Sequence, residues 1–166
     1  MATGSLASLQ EYLTSAFSPD CDYVDGVIEE RHLGERDHAK LQLAIAAYLY
    51  AHRKEWGIHI YPEMRVQVSA TRFRVPDVCV MAGPEPEEQI FRTPPFICIE
   101  ILSPDDRMAR VQQRIDDYIA FGVPYIWLLN PENHKAYRCT AEGILEVREL
   151  RTADPEIVVP LEALFE

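Results

Sequence analysis

The run "FICIEIL", residues 96–102, is apolar at every position but one, and that one is Glu100. Such a run reads as a buried strand, so the fold has to be built round it. A carboxylate inside it is costly. Left unpaired, it loses its charge or finds a cation. A second run, "RFRVPDVCVM" at 72–81, carries Asp77 in the same way. Two carboxylates, each on a strand of its own, point to one shared cation.

The chain has 166 residues, which favours a single domain, 1–166, with residues 1–20 as an N-terminal helical extension. The apolar fraction of 48% is that of a globular protein. No apolar run is long enough to span a membrane. The start, "MATGSLASLQEYLTS", has neither a basic region nor a long apolar stretch, so the expected location is the cytoplasm. Cys21, Cys79, Cys98 and Cys139 are too far apart for a metal knuckle and read as reduced structural thiols. The net charge of −11 argues against non-specific binding to nucleic acid. A local basic stripe or a bound metal ion would still invert the potential at one site.

Along the chain, "CDYVDGVIEERHL" alternates around Asp25-Gly26, a hairpin signal. "ERDHAKLQLAIAAYLYAHRKEWG" reads as one long helix with His38, Leu41, Ile45 and Tyr48 on a common face and Gly57 as its stop. "IHIYPEMRVQVS" and "RFRVPDVCVMA" read as adjacent strands joined near Ala70-Thr71. Ser103 is placed to cap the next helix, with Pro104, Asp105 and Asp106 in its first turn. "YIWLLN" is a further core strand, "KAYRCT" and "ILEVREL" form a hairpin, and "IVVPLEALFE" closes the chain. The fold class is α/β of mixed α+β type: a central mixed sheet flanked by helices, with a small C-terminal β tail.

Asp77 follows Pro76, which lacks a ladder donor and marks an irregular point in its strand. If the strands of Asp77 and Glu100 are neighbours, the two carboxylates meet, and oxygen ligands of this kind suit Mg2+ or Mn2+. A helix starting at Ser103 would aim its N-terminus at the same region and favour an anion there. This order of residues resembles the PD-(D/E)xK nuclease superfamily. More specifically, "YVDG", "DHAKLQLAIAAYL", "RFRVPDVCVM", "ICIEILSPDDR", "RIDDYIAFGVPYIWLLNP" and "VPLEALF" resemble the restriction-endonuclease-like family called Uma-two. The resemblance implies Asp77 and Glu100 as metal ligands and phosphodiester hydrolysis as the chemistry, with DNA as substrate. It also places Asp25 near the pocket.

The superfamily lysine, two residues after the Glu, is replaced by Leu102, and only Lys40, Lys54 and Lys135 occur in the chain. In the Uma-two group the lysine lies on the following helix, and the matching residue is Arg114. Arginine holds phosphoryl charge well but is a poor proton shuttle. Arg107 and Arg110 extend the same stripe. Glu63 is a candidate third ligand or a solvent-facing strand residue, and His38 a candidate substrate or supporting contact or a core histidine. Glu100 is alternatively the partner of Arg114 or Arg74 in a buried ion pair. Three functions follow. One is an Mg2+- or Mn2+-dependent endonuclease. The second is a binding module that kept the fold and lost catalysis, and a homodimer is expected under either of these. The third is a metal-dependent hydrolase of another phosphoester.

Overall fold

The computed structural model describes residues 4–31 and 34–166; residues 1–3 of the expected N-terminal extension, and His32 and Leu33, lie outside the described residues. The chain opens with β1 (Ser5–Leu6) and α1 (Leu9–Thr14), whose first turn is closed by a reciprocal Ser8–Glu11 cap. The hairpin of β2 (Asp22–Val24) and β3 (Val27–Glu29) follows, with Asp25 and Gly26 at φ 49° and 90°. Positive φ at both central residues is what a tight hairpin turn demands.

The long helix of the sequence reading is two helices, α2 (Arg36–Ala51) and α3 (Arg53–Trp56). His52 breaks it: its ψ is 4°, and its Nδ1 lies 2.9 Å from the Tyr48 carbonyl. Gly57, at φ 63°, ends α3 as expected.

The two strands expected on either side of Ala70-Thr71 are each divided. β4 (Ile58–Pro62) and β5 (Val66–Ser69) are separate, as are β6 (Arg72–Arg74) and β7 (Val78–Ala82). The breaks fall at Glu63, which has φ 51°, and at Pro76, which cannot donate to a ladder. At each break the chain changes sheet. β5 and β6 join the small sheet β1-β3-β2-β6-β5, while β4 and β7 belong to the central one.

The remaining elements are β8 (Ile97–Ile101), α4 (Met108–Phe121), β9 (Tyr125–Asn130), β10 (Lys135–Thr140), β11 (Gly143–Val147), β12 (Glu149–Arg151) and β13 (Val158–Pro160). The central sheet runs β11-β10-β9-β8-β7-β4 and is mixed, with β8 and β9 parallel and the other pairs antiparallel. β12 and β13 form the C-terminal tail.

Alternation along β8 divides the core. Ile97, Ile99 and Ile101 pack with Leu41, Ile45 and Leu49 of α2, while Cys98 packs with Val111, Ile115 and Tyr118 of α4. Glu100 shares the parity of Cys98 and therefore faces α4. All four cysteines are free and buried. Among the described residues no helix is long and apolar enough to cross a membrane.

α4 begins four residues later than the sequence suggests. Its N-terminal flanking residue is Arg107, which supplies no side-chain cap. Ser103 does not cap it, because the Asp106 carboxylate accepts the Ser103 backbone N–H at 2.7 Å and the Asp106 N–H donates to the Ser103 carbonyl at 3.0 Å. This closed turn carries the chain from β8 to α4.

Candidate functional site

β7 and β8 pair with Val78 opposite Ile99, so one step further along the ladder sets Asp77 opposite Glu100. Both are buried, with 2% and 4% of their surface exposed. Asp77 is held from three directions. The Ile101 backbone N–H donates to its Oδ2 at 2.7 Å, Arg31 donates to Oδ1, and His38 Nε2 lies 3.4 Å from the same oxygen. Gln42 of α2 fixes the Asp77 carbonyl at 3.0 Å. Burial alone would raise the Asp77 carboxyl, but His38, Arg31 and the Ile101 N–H hold it below the usual carboxylate range. The ion pair with Asp77 outweighs burial at His38 and raises its imidazole.

Glu100 is less well compensated. Tyr118 donates to its Oε1 at 2.5 Å, and Arg114 Nε stands 3.7 Å from its Oε2. Burial, reinforced by the Asp77 charge and only partly opposed by Arg114, pushes its carboxyl up to about 7. Arg114 also reaches Asp106 at 3.7 Å. Arg31 Nη1 and Arg114 Nε are buried and find no hydrogen-bond acceptor among the described residues.

These groups lie in a cleft of about 820 Å3. Asp77, Glu100, His38, Glu63, Arg107, Arg110 and Arg114, all singled out from the sequence, line it. Glu63 is at the edge: its side chain is 47% exposed and stands 3.8 Å from Arg31 Nη1. Asp25 is not among the lining residues. It serves the turn, accepting from Arg72 and Thr71. Arg74 pairs not with Glu100 but with Asp22, Glu29 and Asp117.

Sequence reasoning missed Arg31, Asp22 and the polar role of Tyr118. Arg31 and Asp22 sit in polar stretches where nothing marks one charge above its neighbours. The Tyr118 hydroxyl was hidden by a ring that belongs to the apolar face of α4.

The donor set has the right chemistry for a hard divalent ion. Two adjacent desolvated carboxylates, one still short of positive charge, are what Mg2+ uses when waters and substrate oxygens complete its shell. No group of three or more His, Cys, Asp or Glu among the described residues could hold a metal ion, so Glu63 does not complete a preformed cage.

A family model described as "Putative restriction endonuclease", Uma2, matches residues 9–166. The chain belongs to the Uma2 family. A solved structure described as a putative nuclease belonging to DUF820, from Anabaena variabilis, has the same fold, with a TM-score of 0.80. The two are 21% identical over 96% of this chain and 97% of that one. No curated protein matches the sequence. The Uma2 assignment agrees with the resemblance read from "VPD" and "IEILSP".

Proposed function

We propose that this Uma2 protein is a divalent-metal-dependent endonuclease that hydrolyses phosphodiester bonds in DNA, with Asp77 and Glu100 holding Mg2+ or Mn2+. The supporting observation is the buried pair Asp77–Glu100 at the base of a cleft that arginines also line. The ion would supply Lewis acidity at the scissile phosphate. The protein's own contribution is to position and neutralise. The Ile101 N–H and Gln42 fix Asp77, Tyr118 fixes Glu100, and Arg114, which lines the same cleft, would neutralise the charge that develops on the phosphate. Its Nε lacks an acceptor, which a phosphate oxygen would satisfy. Arg107 and Arg110 would contact the flanking backbone, and His38 and Glu63 would support the ion's surroundings. Hydrolysis adds water across one P–O bond to give a phosphate monoester and an alcohol, and Arg114 cannot take the water's proton. The reading includes a single domain spanning 1–166, acting in the cytoplasm as a homodimer. Four buried free thiols suit a reducing compartment.

A second reading, a non-catalytic module, draws on a specific observation. Both carboxylates already have cationic neighbours, and no lysine lines the cleft among the described residues. Titration with Mn2+ by calorimetry, beside Asp77→Asn and Glu100→Gln, separates the two. Saturable binding lost in both variants, with nicking of supercoiled plasmid that follows it, is the expected result. Absence of binding at millimolar Mn2+ would leave only the module.

A further inference from the structure

Among the described residues, the cleft contains one cation with no part in the chemistry above. Arg31 lies just beyond β3, and its guanidinium stands between two acids of different character. One is Asp77, which is buried; the other is Glu63, which faces solvent. Asp77 Oδ2 is committed to the Ile101 backbone N–H. Oδ1 is therefore the oxygen open to exchange, and Arg31 occupies it with His38 nearby. A divalent ion that binds Asp77 has to take that oxygen from a guanidinium, because two cations in contact with one oxygen repel. The guanidinium does not leave by losing its proton. It needs another acid, and Glu63 is within 3.8 Å of a nitrogen that makes no hydrogen bond among the described residues. The Glu63 backbone N–H donates to the Asp77 carbonyl at 3.2 Å, so the two acids stay side by side whichever one Arg31 holds.

We propose that Arg31 is a built-in competitor for the divalent ion: it neutralises Asp77 while the ion is absent and transfers to Glu63 when the ion binds. The proposal rests on the metal-binding reading above. Glu63 is then a positioning residue that acts through Arg31 and not a ligand.

Calorimetric titration of the full chain with Mn2+ tests this in wild type, Arg31→Gln, Glu63→Gln and the double variant. The expected result is about tenfold tighter binding by Arg31→Gln. Glu63→Gln binds more weakly than wild type, yet has no further effect once Arg31 is replaced. A double variant that binds more weakly than Arg31→Gln would make Glu63 a ligand and overturn the proposal. So would an Arg31→Gln protein that binds no tighter than a wild type that binds, and the metal reading would survive that result. Absence of binding in both wild type and Arg31→Gln overturns the proposal and the metal reading together. A measurement on wild type alone guards against a variant that does not fold. Saturating Mg2+ should shift the NMR signals of the Arg31 guanidinium, and unmoved signals in a protein that binds Mg2+ overturn the transfer.

Discussion

Glu100 is the residue whose environment has the clearest measurable consequence. Its folded carboxyl is raised to about 7, above the ordinary carboxylate range. The stability it contributes is therefore fully present below about pH 4.5 and is lost as pH rises towards the folded value. Glu100→Gln keeps an acceptor for the Tyr118 hydroxyl and removes the titration. Urea unfolding of the metal-free protein should show the variant gaining on wild type by roughly 2 kcal/mol between pH 5 and pH 8. Asp77 behaves oppositely, since its carboxyl is held low by His38 and Arg31. Its contribution is lost only as pH falls through that depressed value. Asp77→Asn leaves the Arg31 charge without its buried partner and should cost about 3 kcal/mol at neutral pH. Asp77 and Glu100 were legible because a carboxylate is conspicuous in an apolar run. Arg31 was not, because in "VIEERHLGERD" a charge is ordinary and only the tertiary approach to Asp77 selects it.

At the scale of elements, local patterns located strands and helices well and their junctions poorly. "PFICIEIL" and "YIWLLN" became central strands because no face of either could be left in water. Ser103 misled because Ser-Pro-Asp-Asp fits a helix start, while Asp106 instead closes a turn on the Ser103 amide. Replacing Ser103 by Ala should change stability by less than about 0.5 kcal/mol, whereas Asp106→Ala should cost about 1 kcal/mol, both by thermal unfolding. α4 is tied to the small sheet by charge as well as by packing. Asp117 accepts from Arg72 at 2.8 Å and from Arg74 at 2.7 Å, and Arg74 is 1% exposed. Asp117→Asn should destabilise by about 3 kcal/mol, with Mn2+ binding by the folded protein unchanged.

For the whole molecule, the mixed sheet with its tail followed from the order of patterned segments, but the division into two sheets did not. In "IHIYPEMRVQVS" Pro62 marks an irregular point, but it does not announce that the two halves join different sheets, because that is imposed by where the partner strands lie. Charge is the other molecular property. With a net charge of −11, and with nine carboxylates but four guanidiniums lining the cleft among the described residues, the metal-free protein should not bind a labelled DNA duplex at physiological salt. Binding should develop with Mn2+ and be absent in Asp77→Asn, as fluorescence anisotropy would report. The acidic loop at residues 84–88 follows β7 at the end away from Asp77, so it lies outside this balance. Both passages between the sheets meet at one backbone bond, from the Glu63 amide to the Asp77 carbonyl. That bond continues the β4–β7 ladder, so its amide exchanges hydrogen with solvent when this end of the ladder opens, at the point where both passages leave the central sheet. Its deuterium uptake is thus a clock for the seam, readable in a single peptide and indifferent to whether any substrate has been found.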